Sequence, residues 1–180
     1  ILNNLEHDHA DIYPDVASIQ KQFHLLLRTV PGNSRLIVNA DEPHLDEVLR
    51  LGCWPPVERF TSGNTAGCEW RIAAAGGDSS FASFDLWRGE RCLGRVDWDM
   101  LGRHNAANAL AAVAAACHAG VGEDAALEAL RRFGGVKRRL EVRGVVREIV
   151  VHLDAARFAA QLHASLYALK SRQRRNRLLG

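Results

Sequence analysis

Three short segments gather the residue types that do chemistry. The first is the polar run Asn4-Leu5-Glu6-His7-Asp8-His9-Ala10-Asp11, which follows a strand-like opening over Ile1 to Leu5. Ligands in a doubly wound sheet bind beyond the carboxyl ends of strands, and this cluster sits at such an end. Glu6, Asp8 and Asp11 are hard oxygen donors and His9 adds an imidazole, a set suited to a divalent cation that escorts phosphates. The same residues also serve simply to cap a turn. The second segment is Gly102-Arg103-His104-Asn105-Ala106-Ala107-Asn108-Ala109. Asn105 and Asn108 are three residues apart and so share one face of a helix at its first turn. Side-chain amides offer a donor and an acceptor, as an adenine edge requires, and the positive helix end favours anionic groups nearby. The plainer alternative makes one asparagine just the N-cap. The third segment is Gly135-Val136-Lys137-Arg138-Arg139-Leu140-Glu141-Val142-Arg143. An arginine there presents a planar fork suited to phosphate oxygens, though a basic strand edge can equally be solvated.

The elements that must position these segments follow from periodicity. Val16, Ile19, Phe23, Leu26 and Val30 recur at helical spacing and stop at Pro31-Gly32. A short strand over Arg35 to Val38 and a helix over Pro43 to Leu51 come next, so the first fifty residues read β-α-β-α. Residues 57–98 change character. Glu69 to Ala75, Phe81 to Trp87 and Arg91 to Trp98 alternate or are apolar, between turns at Gly76-Gly77-Asp78 and Gly89-Glu90. This predicts a small antiparallel meander attached to an α/β core. Two helices are expected over His104 to Ala119, which is alanine-rich and smooth, and over Glu123 to Phe133. The second has acids in its first turn, arginines in its last and Gly134-Gly135 beyond. Strands over Arg138 to Val146 and Glu148 to Val151, then a helix over Ala155 to Lys170, complete the reading.

Composition bounds the function. The 180 residues are 47% hydrophobic and 24% charged with a net charge of +2, as in a globular domain, which argues against nucleic-acid or membrane partners. The basic run Lys170, Arg172, Arg174, Arg175 and Arg177 reads as a solvated tail. Four scattered cysteines, Cys53, Cys68, Cys92 and Cys117, form no metal or disulfide pattern and point to a reducing cytoplasm. No apolar run approaches transmembrane length. An opening on Ile1, inside a strand, predicts a fragment.

Together and in order, the three segments resemble the Mur ligase family, ATP-dependent enzymes that join amino acids or peptides to UDP-N-acetylmuramate. Asn4 to Pro14 looks like the family's "N-x-x-x-D-H-x-D" strand end. His104 to Ala112 looks like its "H-N-x-x-N-A-x-A-A" helix start, and Arg138 to Glu141 like its arginine motif. "NLEHDHADIYPD", "IQKQFHLLLRTVPG", Gly52-Cys53-Trp54 and "GVKRRLEVRG" are worded like the members that attach recycled L-alanyl-γ-D-glutamyl-meso-diaminopimelate. The members that attach L-alanine are the alternative, and a non-catalytic nucleotide-binding fragment is another. Ligases that extend folate with glutamate fit the wording less well. The resemblance implies a partial P-loop-type central domain over residues 1–150, mostly parallel sheet flanked by helices, with a basic tail over 151–180. It implies ATP and Mg2+ as cofactors, and chemistry through an acyl phosphate on the muramoyl carboxylate.

Carried over by position, His9 falls on the metal histidine, with Glu6 and Asp8 as further candidate ligands. His104, Asn105 and Asn108 fall on the adenine side and Arg139 on the nucleotide phosphates. Several relatives place a carbamylated lysine, which helps hold a second magnesium, on the helix after the metal histidine. Ungapped counting puts His24 there, with Lys21 one turn earlier; His24 also reads as a core histidine. The sequence departs from the family in several places, the upstream glutamate that shares the magnesium and the amino-terminal UDP-sugar domain among them. The phosphate loop "G-T-x-G-K-T" is missing, with no glycine-rich substitute ending in Lys and Ser or Thr. Val151-His152-Leu153-Asp154 stands where a "D-D-F-A-H-H-P"-like junction is expected.

Overall fold

In the computed structural model, residues 1–77, 79–135, 141–146 and 149–153 are described. The elements run α1 (Val16–Leu27), β1 (Leu36–Asn39), α2 (Pro43–Arg50), β2 (Val57–Thr61), β3 (Trp70–Ala74), β4 (Ser83–Arg88) and β5 (Arg91–Asp97). Then come α3 (Arg103–His118), α4 (Glu123–Arg131), β6 (Glu141–Val146) and β7 (Ile149–Leu153). β1 to β5 form one sheet in sequence order, with β1, β2 and β3 parallel and β4 and β5 antiparallel additions. The opening strand is reduced to a parallel bridge between Leu2 and Val38, closed by Leu2 N–H to Ile37 O at 2.8 Å and Asn39 N–H to Leu2 O at 2.9 Å.

The meander expected over 57–98 is therefore corrected in part. Its antiparallel pairing holds from β3 to β5. β2 instead pairs parallel with β1, and all five strands share one sheet. Pairing partner follows burial here: β2 has Glu58, Phe60 and Thr61 buried and sits inside the sheet. β5 has only Val96 buried, and charged Arg91, Arg95 and Asp97 guard it as an edge strand.

Two cores lie on opposite faces of the sheet, and β1 divides them by its two-residue period. Leu36 and Val38 join Leu2, Leu5, Ile19, Leu27, Leu45 and Val48 under α1 and α2. Ile37 joins Phe60, Trp70, Ile72, Phe84, Leu86 and Val96 under α3 and α4. The α1 stripe differs from the expected one by a residue, since Leu27 is 1% exposed while Leu26 is 54% exposed. At about 100° per residue, Leu27 falls next to Val16 on the core face, and Leu26 falls at the margin beyond Ile19. Asp15 caps α1 by accepting the Ser18 N–H at 2.7 Å. In α3, Ala106, Ala107, Ala109, Ala111 and Ala114 are buried with Leu110 and Val113, so its small side chains let the axis lie close to the sheet.

A charged side chain enters this core. Glu58 is 5% exposed and accepts from the Trp70 indole and from Arg35 Nη1 at 3.0 Å. Burial pushes its carboxyl up, but those two hydrogen bonds and the arginine charge outweigh it and hold the group below its ordinary value. The expected helix over Ala155 to Lys170 and the basic tail lie outside the described residues. Among the described residues, no helix is long and apolar enough to cross a membrane.

Phe60 is fully buried between β1 and β3, so Phe60→Ala should cost about 3–5 kcal/mol in urea denaturation. Val57→Ala on the same strand, 38% exposed, should cost under about 1 kcal/mol, and equal losses would contradict the described burial.

Candidate functional site

Parallel pairing sends the carboxyl ends of the Leu2 strand, β1 and β2 to one edge of the sheet, and α3 begins at that edge. Asn3 and Asn39 close the first two strands, and the Asn39 amide donates to Asn3 O at 2.9 Å. The carbonyl of Asn39 accepts the Asp41 N–H at 3.0 Å, which fixes its orientation. The Asn3 amide nitrogen donates to the Asn108 side-chain oxygen, tying the strand end to the second turn of α3. Asn105 lies on the same face one turn earlier, and its amide donates back to Leu101 O at 2.7 Å. The N-cap of α3 is Gly102, with no side-chain cap, so neither asparagine is the N-cap. Both line the head of a cavity of about 540 Å³ between α3 and α4, whose walls are otherwise apolar, including Trp98, Met100 and Phe133. His104 is half-buried at the second position of α3.

A second polar group forms where β1 and β2 end. The Asp41 carboxylate accepts from the Thr61 hydroxyl, the Ser62 N–H at 2.8 Å, the Ser62 hydroxyl at 3.0 Å and the Thr65 hydroxyl at 2.9 Å. From α3, Arg103 donates through Nε to the Ser62 hydroxyl at 2.9 Å and reaches Asp41 through Nη2 at 3.4 Å. Burial pushes Asp41 up; the hydrogen bonds from Thr61, Ser62 and Thr65 more than offset it and hold the carboxyl below its ordinary value.

The loop holding Glu6, Asp8 and His9 leaves the same edge, beyond Asn4. His9 adopts φ +52, and its N–H donates to Asp8 Oδ1 at 2.7 Å while its Nε2 lies 3.3 Å from Asp8 Oδ2. His9 O accepts from the Ile12 and Tyr13 amides at 2.8 Å each, and Glu6 accepts from Asn4 at 3.2 Å. The loop thus folds on itself as a turn, beside a cleft of about 330 Å³ lined by Glu6, Asp8, His9, Tyr13 and Phe23. Among the described residues, no three His, Cys, Asp or Glu side chains converge as a metal cage.

His24 does not join this edge. It sits in the last turn of α1, about 12 Å along the helix from Val16. There it packs against Trp54, with ring centroids 6.3 Å apart, and near Gly52 after the end of α2. Chain direction places that region at the opposite edge, where β2 is about to begin. There it is half-buried between α1 and the 52–54 turn. Arg139 lies outside the described residues. Sequence reasoning missed Asn3, Asn39, Asp41 and Ser62. The available signal was the strand-end rule, applied to the first strand only, since Asn39 follows Leu36 to Val38 just as Asn4 follows its own strand.

Residues 1–116 match the family model described as the Mur ligase middle domain. The chain belongs to the Mur ligase family. A curated Mur ligase from Haemophilus influenzae, named UDP-N-acetylmuramate–L-alanyl-γ-D-glutamyl-meso-2,6-diaminoheptandioate ligase, is 40% identical over 173 residues. That match covers 96% of this chain and 37% of the relative. A UDP-N-acetylmuramate–L-alanine ligase from a Roseiflexus species is 33% identical over 195 residues, covering 99% of this chain and 41% of the relative. Among solved structures, the UDP-N-acetylmuramate:L-alanyl-γ-D-glutamyl-meso-diaminopimelate ligase of Neisseria meningitides superposes with a TM-score of 0.64 at 47% identity, covering 76% of this chain and 40% of that one. The chain therefore spans little more than a third of the length of the curated Mur ligases it matches.

The Asp41 network predicts an acid dependence. A folded-state pKa below the unfolded one adds stability that is complete above the unfolded value and is lost as pH falls through the folded value. The stability gap between the parent chain and Asp41→Asn should be full above about pH 5 and should shrink as pH falls through the lowered folded-state value. Urea titrations across that range measure it, and a gap that widens in acid would contradict the described hydrogen bonding.

Proposed function

We propose that this chain forms part of the ATP-binding central domain of a ligase acting in peptidoglycan recycling. The ligase joins L-alanyl-γ-D-glutamyl-meso-diaminopimelate to UDP-N-acetylmuramate through an acyl phosphate. The observation that carries the reading is the meeting of Asn3, Asn39, Asn105 and Asn108 at the carboxyl edge of the parallel strands, where α3 begins. That edge is where open α/β sheets hold nucleotides. Support for the tripeptide over L-alanine as the amine comes from the wording of the motifs and from the names of the 40% and 47% identical relatives.

In this reading, Asn108 and Asn105 face the adenine edge, with His104 beside them, and Arg139 of the arginine motif takes the nucleotide phosphates. Asn105 commits one N–H of its amide to Leu101 O, which leaves the second N–H and the carbonyl oxygen as the groups to meet the ligand. His9, Asp8 and Glu6 lie on the metal side. Two or three donors of this kind fit a magnesium ion held mainly by water and phosphate oxygens, and do not fit an all-protein cage. When bound, the ion neutralises charge on the phosphates as the phosphoryl group transfers. The turn around His9 sets that imidazole beside the Asp8 carboxylate. The boundary at residue 150 belongs to the same proposal and lies just beyond the quoted family motifs, which end at Gly144.

The 180 residues carry no glycine-rich loop ending in Lys and Ser or Thr, so the triphosphate lacks its main anchors here. Calorimetric titration of the isolated chain with Mg-ATP should show at best feeble binding and no ligase turnover; micromolar affinity would contradict this. The complete ligase should use the tripeptide far better than free L-alanine, and the reverse preference would select the L-alanine-adding reading.

A further inference from the structure

The start of α3 is held to the strands from two sides, and one of these holds has no partner role in the function proposed above. Asn108 is tied to Asn3. Five residues earlier, Arg103 lies across Gly63 and joins Ser62 and Asp41 at the ends of β2 and β1. The Ser62 hydroxyl works as a relay, donating to Asp41 while accepting from Arg103 Nε. Asp41 in turn gathers the Thr61 and Thr65 hydroxyls, so the carboxylate fixes the loop beneath the guanidinium as well as the guanidinium itself. A Cβ on Gly63 would stand 2.4 Å from Arg103 Nη2, a separation at which the guanidinium must move. Gly63 has no positive φ, so backbone freedom does not explain the glycine. The space a Cβ would take is occupied by the end of the flexible Arg103 side chain, which would have to swing aside. Gly102 supplies no side-chain cap, so this clamp and the Asn105 amide on Leu101 O are polar holds on the first turn of α3.

We propose that Asp41, Ser62 and Arg103 form a clamp that positions Asn105 and Asn108 for an adenine-containing ligand, with Gly63 kept bare so that the guanidinium can lie in place. The ligand half rests on the nucleotide reading of this edge; the clamp half rests on the geometry alone. Arg103 is half exposed, at 52%, so its charge is well screened and the effect of losing it is modest. These are positioning residues, acting through α3.

The test compares backbone amide exchange in the 180-residue parent with Arg103→Gln, Gly63→Ala and the double variant. Arg95→Gln, which breaks an exposed pair with Asp85 on β4 and β5, serves as control. Residues 103–108 should exchange about 3- to 10-fold faster in each clamp variant, while the second half of α3 and the control stay at parent rates. The double variant should be no faster than Arg103→Gln, since both changes undo one clamp. Gly63→Ala is the sharpest arm, because it removes no charge and no hydrogen-bonding group. Where a side chain fits, Gly→Ala at negative φ stabilises through the unfolded chain, so a slower-exchanging Gly63→Ala overturns the clamp. Unchanged exchange in Arg103→Gln overturns it too. Adenosine titration by ligand-observed NMR should show a dissociation constant raised by the same factor, with the thermal midpoint nearly kept. If exchange responds and the parent engages no adenosine, the ligand half falls, and with it the nucleotide reading, while the clamp stands.

Discussion

The close seating of α3 on β1, β2 and β3 is the constraint on which the rest of this domain depends. Alanines at 106, 107, 109, 111 and 114 are buried against Ile37, Phe60, Trp70 and Ile72, and a bulkier face would hold the helix away from the sheet. At that short distance the side chains of Arg103 and Asn108 reach the ends of three parallel strands. A larger separation would leave each of them a surface residue with no strand partner. Apolar packing therefore decides where the polar edge forms, and the hydrogen bonds then decide how its amides are oriented.

Much of this was legible in the sequence, for identifiable reasons. α1, α2, α3 and α4 announced themselves by periodicity and punctuation, as with Pro43 at the start of α2 and the acids Glu123 and Asp124 opening α4. β4 and β5 fell within a residue or two of their expected spans. The parallel placement of β2 was not legible. Its alternation resembles that of the strands after it, and nothing local records that residues 62–69 cross back over the sheet to start β3 alongside it. Strand direction is a long-range property, set by where Phe60 and Trp70 find their core.

The site divides in the same way. His9, Asn105 and Asn108 stood out because their spacing carries information, and the structure sets all three at or beyond one edge. Asn3, Asn39, Asp41 and Ser62 carried no spacing signal, because each comes from a different strand end and only the parallel register brings them together. His24 was singled out by a count along the chain, and the length of α1 sets it beside Trp54. The family relationship explains why such parts recur together, while the chain spans only about a third of its relatives' length. In the proposed reading, the described edge is one wall of the nucleotide site.

The central claim is that this wall receives the adenine end of a nucleotide. Mapping adenosine-induced backbone and side-chain amide shifts on the isotope-labelled 180-residue chain tests it most directly. The account predicts shifts concentrated at Asn3, Asn39, Asn105 and Asn108, with none around His24 and Trp54. Shifts centred on the α1–α2 side of the sheet, or none at saturating adenosine, would contradict it.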